Sequence, residues 1–253
     1  MLKGPTIPYP GAKARMAPTL VSLMPTSGRM YMEPFVGRGN VFWTAALNLS
    51  FKDWHLNDIA TAPFFLAVRD HGTSISVPDR TREEYQHQKL AFLAEGRPEA
   101  GLLEPYLTFN GGGYRRAGYG SSHGPTPSGY MGALQRCHAI MRMTQAKVTA
   151  LDWHKLQLGR LRHDDFVFLD PPYFGADVRA YTNDFDFDGL VAVLCRAKFR
   201  WMLTEYRQPF YVKAFGEPTL QKPVQLACDG IGTRRRTECV WTNFAEARMT
   251  LAA

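Results

Sequence analysis

Apolar and polar positions follow two regimes along the chain. Phe166, Val167, Phe168 and Leu169 form a wholly apolar run. It is too short for a helix and biased to aromatic and β-branched residues, as in a strand buried on both faces of a parallel sheet. "GRMYMEPF", "KDWHLND", "KVTALD" and "RWMLTEY" read as further strands. Between them "NVFWTAALNL" reads as a helix, as do "APFFLAVRDHG", ended by Gly72, and "FDGLVAVLCRAKF", with Asp186 or Asp188 near its start. "TLQKPVQLA" and "TECVWTNF" predict a hairpin that closes the sheet. Strands alternating with helices at this spacing predict an α/β fold: a mostly parallel sheet, covered on both faces, with an antiparallel closing hairpin.

Residues 73–146 break that rhythm. "TREEYQHQKLAFLAEG" and "GYMGALQRCHAIMRMTQA" carry helical periodicity, and the stretch Gly111–Gly129 between them holds seven glycines. So glycine-dense a segment predicts a long surface loop. The expected organisation is a sheet domain from residues 1–72 and 147–253 with 73–146 inserted as a small second unit.

Composition narrows the class. The 253 residues are 45% hydrophobic and 21% charged, ordinary values for a globular protein. No apolar run reaches the roughly 18 residues of a membrane span. The N-terminal segment lacks a secretory apolar core, which points to the cytoplasm. Cys137, Cys195, Cys228 and Cys239 are far apart, and the seven histidines show no paired ligand spacing. Reduced structural thiols and no metal are expected. A net charge of +7 suits an acidic partner, provided the positive residues cluster where one would bind.

Candidate chemistry gathers at strand ends, where open α/β sheets keep their ligands. "EPFVGRGNVFW" sets Gly37 and Gly39 at a strand-to-helix turn, behind Glu33 and Phe35. Phe42 stands where a dinucleotide fingerprint has its third glycine, so a pyrophosphate is not the expected ligand. Asp58 ends the next strand and can accept both hydroxyls of a ribose. In "ALDWH", Asp152 offers an acceptor to an adenine amino group and Trp153 a ring face. Lys13, in "YPGAK", offers an ammonium to a carboxylate. Ribose, adenine and an amino-acid tail together describe S-adenosylmethionine.

After the apolar strand comes "DPPYF". Asp170 and the Pro171 carbonyl can accept the two N–H bonds of an aromatic amine and free its lone pair for methylation. Pro171 and Pro172 fix that carbonyl and bring no competing N–H. Tyr173 can stack on a base removed from its helix.

In this order the blocks "YPGAK", "EPFVGRGNVF", "LND", "FNGGGYRRAGYG", "LDW", "DPPYF", "YTNDFD" and "RRRTECVWTNF" make the chain resemble the Dam-like adenine-specific DNA methyltransferases. The resemblance spans most of the sequence. It implies a Rossmann-like sheet, S-adenosylmethionine as methyl donor, methylation of adenine N6 in double-stranded DNA, and an inserted target-recognition region. It further implies that Tyr9, Lys13, Phe35, Gly37, Gly39, Asp58, Asp152 and Asp170 line the cofactor site. Asp170, Pro171 and Tyr173 would handle the target base.

The recognition loop departs from the family pattern. Asn110 is followed by Gly111, Gly112 and Gly113 where the family commonly has one glycine and a bulky residue. Tyr114, Arg115 and Arg116 remain as candidates for phosphate or base contacts, with Arg234, Arg235 and Arg236 as the densest basic run. The recognition sequence is not legible. Two alternatives stay open at this level: an amino-methyltransferase acting on cytosine N4 or RNA adenine, and a catalytically silent DNA-binding homologue.

Overall fold

A computed structural model describes residues 1–115, 117–120, 124–174, 185–228 and 232–244, the side chains of 224–228 and 232–235 excepted. Seven strands form one sheet: β1 (Ser27–Glu33), β2 (Ser50–Asn57), β3 (Lys147–Thr149), β4 (Phe166–Leu169), β5 (Arg200–Tyr206), β6 (Leu220–Cys228) and β7 (Gly232–Thr242). Their spatial order is β3-β2-β1-β4-β5-β7-β6. The first five pair in parallel, and β7 runs antiparallel between β5 and β6. This is the mixed α/β sheet with antiparallel closure that the sequence pattern predicts.

The alternation of side chains sorts two cores onto the two faces. Tyr31, Phe166, Phe168 and Met202 face one cluster, and Met32, Val167, Leu169, Trp201 and Leu203 face the other. All four residues of β4 are buried, as its uninterrupted apolar run requires. The sheet ends on one side in the three-residue β3 and on the other in β6, which carries Pro223 opposite Thr237.

Eight helices are described: α1 (Ala17–Ser22), α2 (Phe42–Ala45), α3 (Ala62–His71), α4 (Arg82–Leu93), α5 (Pro98–Leu107), α6 (Pro127–Thr144), α7 (Phe187–Cys195) and α8 (Pro209–Phe215). Side chains cap several of them. Thr81 accepts from the Glu84 amide, Thr126 from Gly129 and Asp186 from Gly189, each satisfying an otherwise unpaired donor in the first turn. Within the helix expected over residues 40–49, regular helix is confined to Phe42–Ala45.

The β2–β3 connection contains α3 to α6, and its helices are not walled off from the sheet. Leu102, Tyr130 and Leu134 belong to the same buried cluster as Tyr31, Phe42 and Phe65. The glycine-rich stretch is also less of a surface loop than its composition suggests. Gly111, Gly113 and Tyr114 are buried, while Asn110 and Arg115 stay exposed. No helix among the described residues is long and apolar enough to cross a membrane.

Candidate active site at the carboxyl edge of the sheet

The strand order reverses between β1 and β4, so the connections leaving their carboxyl ends diverge and open a crevice. Asp170 stands at that crevice because the prolines after it stop β4. Its Oδ1 accepts from Thr204 Oγ1 at 2.7 Å and pairs with Lys13 Nζ at 3.1 Å. Thr204 lies near the end of β5 and is fully buried, so it holds one edge of the carboxylate from beneath. Oδ2 has no hydrogen-bond partner among the described residues.

Lys13 is the hub. Its ammonium lies 3.1 Å from Gly11 O, 3.1 Å from Asp170 Oδ1 and 3.1 Å from Glu238 Oε1. An ammonium has three protons, and these three acceptors take them all. The expectation that Lys13 greets a ligand's carboxylate is therefore corrected: it meets the protein's own carboxylates. Burial opposes its charge, but Asp170 and Glu238 outweigh burial and raise its pKa. Glu238 reaches this position because antiparallel β7 brings its middle alongside the end of β5, opposite Tyr206.

Tyr173 is fixed in the same network. Its hydroxyl donates to Glu238 Oε1 at 2.5 Å, the Lys13 ammonium lies 4.6 Å from its ring centroid, and Tyr206 packs edge-on at 4.5 Å. Arg236 in turn lies 5.3 Å over the Tyr206 ring, which brings one arginine of the basic run to the crevice. Arg116 lies outside the described residues, as do the side chains of Arg234 and Arg235.

Around this hub the edge is acidic. Glu33, 2% exposed, accepts from Tyr31 OH at 2.5 Å. Burial raises its pKa to about 8, against the Tyr31 hydrogen bond and with Asp170 nearby. Glu205, fully buried, accepts from the Phe174 and Tyr206 amides at 3.0 and 2.6 Å. Burial brings it to about 8 as well. Asp170 is also raised, by burial first, with Lys13 and Thr204 pulling the other way.

The turn after β1 is shaped by its glycines. Gly37 and Gly39 have φ of +54° and +75°, a region that L side chains rarely adopt. A Cβ on Gly37 would come within 3.0 Å of the Tyr9 ring, and one on Gly39 within 2.9 Å of the Trp43 indole. Asp58 ties this turn to β2: Oδ2 accepts from Gly37 N at 3.0 Å, and Oδ1 from the Ala60 and Thr61 amides at 2.8 and 2.9 Å. With Oδ1 saturated, its capacity for a ribose hydroxyl is confined to Oδ2.

At the end of β3 the sequence expectations are only partly met. Asp152 is exposed, but its Oδ1 accepts from His154 N at 3.0 Å and faces His154 Nδ1 at 2.7 Å. His154 Nε2 reaches Asp186 Oδ2 at 3.1 Å. Trp153 is 8% exposed and packs on His154 and Phe185, with centroids 3.9 and 6.0 Å away. Its ring is part of the core wall rather than the open platform expected of it. Phe35 is half-buried and meets Phe185 edge-on at 5.4 Å.

Tyr114 needs the clearest correction. It is 1% exposed, its hydroxyl donates to Ala100 O at 3.3 Å, and it packs against Tyr85 and Phe92. A side chain enclosed in the inserted helices has no free face for DNA. Thr204, Glu205 and Glu238, which the sequence did not single out, stand beside Asp170, Lys13 and Tyr173. A polar pair ending the buried strand "RWMLTEY" was the available signal for two of them.

Residues 9–69 match the model of the D12 class N6 adenine-specific DNA methyltransferase family. The D12-class match supports the resemblance read from the sequence over Tyr9, Lys13, the Gly37–Gly39 turn and Asp58, and it stops before Asp170. No curated protein matches the chain by sequence. Among solved structures, the C-terminal domain of precorrin-6Y C5,15-methyltransferase from Rhodobacter capsulatus aligns over 96% of this chain and 98% of its own, at 10% identity and a TM-score of 0.42. A precorrin 8W decarboxylase from Methanobacterium thermoautotrophicum aligns over 96% and 97% at 11% identity and a TM-score of 0.37. Among the described residues no group of three or more His, Cys, Asp or Glu side chains is placed to hold a metal ion.

Proposed function

We propose that this chain is a site-specific DNA methyltransferase that moves a methyl group from S-adenosylmethionine to N6 of an adenine turned out of double-stranded DNA. The observation that carries the reading is the half-engaged Asp170 carboxylate. Its Oδ1 is held by Lys13 and Thr204 at 3.1 and 2.7 Å, which leaves Oδ2 at the lip of the crevice to accept an N–H from an incoming amine. The D12-class match over residues 9–69 supports adenine as the base.

The crevice suits a cationic donor. Asp170 and Glu238 flank the Lys13 ammonium, two carboxylates to one cation, while Glu33 and Glu205, raised to about 8 by burial, add hydrogen-bonding groups rather than charge. When bound, S-adenosylmethionine supplies an electrophilic methyl group on a sulfonium. The protein's task is then to hold the amine in line, where positioning supplies most of the rate enhancement. Asp170 Oδ2 and the Pro171 carbonyl accept the two N–H bonds and localise the nitrogen lone pair. Tyr173, locked through Glu238, forms a wall against which the extruded base rests. Asn110, Arg115 and Arg236, from the inserted region and β7, contact the duplex beside it.

Incubating the purified protein with duplex DNA and methyl-labelled S-adenosylmethionine, then digesting to nucleosides, tests the reading. Labelled N6-methyladenine is expected. Asp170→Ala should lower kcat by on the order of 100- to 1000-fold, the scale of deleting one positioned polar group, while still binding S-adenosylhomocysteine. Label in cytosine alone, or near-normal turnover without the carboxylate, overturns it.

A further inference from the structure

The turn after β1 places an arginine between its two left-handed glycines. Arg38 is 5% exposed, its guanidinium lies 4.6 Å from the Phe64 ring centroid, and it forms an ion pair through Nη2 with Glu104 Oε2 on α5. The other oxygen of the same carboxylate, Oε1, accepts from the Tyr114 amide at 2.8 Å. An arginine and a carboxylate left to themselves pair through two parallel hydrogen bonds, the stronger arrangement. Here Arg38 Nε has no hydrogen-bond partner, while Glu104 turns its second oxygen to the backbone beside Arg115. One rigid, largely buried carboxylate is thus divided between the turn after β1 and the loop that carries Asn110 and Arg115.

A second contact runs the same way. Gly111 has φ of +69°, and a Cβ there would sit 2.3 Å from the carbonyl oxygen of Pro8. Tyr9, the next residue, lies against Gly37. Gly113 has φ of +87°, and a Cβ on it would come within 3.0 Å of Glu104 Oε1. Gly111 and Gly113, in the stretch where this chain departs from the family pattern, are what allow the loop to seat on the N-terminal segment and on Glu104.

From this geometry we infer that Glu104 is a positioning residue joining the cofactor turn to the DNA-facing loop, so that filling the cofactor site orders the loop that carries Asn110 and Arg115. The inference rests on the proposed function. Arg38 cannot shift with its turn without drawing the carboxylate, and the carboxylate cannot follow without moving the Tyr114 amide. Linkage makes the effect reciprocal: whatever ordering the cofactor confers on DNA binding, DNA returns to cofactor affinity by the same factor.

Hydrogen–deuterium exchange with S-adenosylhomocysteine as the only ligand separates the outcomes. In the wild-type chain, saturating S-adenosylhomocysteine should slow exchange by about fivefold or more, the lower end of common coupling strengths, both in peptides over Val36–Asn40 and in peptides over Thr108–Arg115. In Glu104→Gln the slowing at Val36–Asn40 should persist and that at Thr108–Arg115 should disappear. The paired replacement Arg38→Met with Glu104→Met, which leaves no unpaired buried charge, should behave the same way and covers the case in which Glu104→Gln fails to fold. A wild-type response confined to Val36–Asn40, or a variant that keeps both responses, overturns the inference and leaves the proposed function standing. Failure of S-adenosylhomocysteine to bind at all overturns both.

Discussion

Asp170 keeps its carboxylate in a buried place because the atoms around one oxygen were assembled from distant parts of the chain. Thr204 is 34 residues away in sequence, and Lys13 comes from the N-terminal segment ahead of β1. Burial raises the Asp170 pKa, and the Thr204 hydrogen bond is among the forces lowering it. In the proposed reaction only the ionised carboxylate accepts the amine proton, so activity is lost as pH falls through that raised value. The acid limb of the kcat/KM–pH profile is accordingly expected above that of a free aspartate. Thr204→Val keeps the shape and removes the hydrogen bond. It should move that limb to higher pH and lower the plateau by about tenfold, the worth of one ordinary hydrogen bond, with the KM for S-adenosylmethionine unchanged. A raised KM with an unmoved limb would instead mark Thr204 as mere packing. Asp170 itself was legible, because an apolar run stopped by two prolines announces a strand end. Its partners were not, since nothing local says that β5 or the middle of β7 will lie beside it. Tyr114 was misread for the same kind of reason: a tyrosine among glycines looks exposed until helices close over it.

At the level of elements, the carboxyl ends of three strands are bolted together by one side chain. Asn57 is 1% exposed; its Nδ2 donates to Pro34 O at 3.0 Å and Leu151 O at 2.9 Å, while its Oδ1 accepts from Thr149 Oγ1 at 2.7 Å and Leu151 N at 2.9 Å. Those bonds join the chain after β1, β2 and β3 just below the crevice. Asn57→Ala leaves their partners buried and unpaired, and a loss of roughly 3 kcal/mol in urea unfolding is expected, with weaker S-adenosylhomocysteine binding by calorimetry. An unchanged midpoint would show that the strand ends hold without it. Elements with a clean apolar period were readable, including all the central strands and α3, α4, α6 and α7. The short α1 and α8 and the proline-bearing α5 were not. Gly101 and Pro105 look like breakers in α5, yet Gly101 lets Phe92 of α4 pack so closely that a Cβ would stand 2.8 Å from its ring. Tertiary contact overrides local propensity there.

Across the whole molecule, the inserted helices and one face of the sheet share a single buried cluster that includes Tyr31, Phe42, Phe65, Leu102, Tyr130 and Leu134. The division into two units drawn from composition follows the chain's connectivity, whereas the packing does not follow that division. Thermal or urea unfolding should therefore be one transition, with tryptophan fluorescence and far-ultraviolet circular dichroism giving coincident midpoints. Separated transitions would mean that the inserted helices melt independently.

The two ends of the sheet meet solvent on different terms. The β3 side is too short to recruit a neighbour, whereas β6 has nine residues in its ladder and is the outer strand among the described residues, exposed at Gln221, Lys222 and Pro223. Pro223 interrupts the row of amide donors there, and exposed Lys222 places a charge beside it. Growth of the sheet from molecule to molecule is thereby discouraged on the side that has the length to support it.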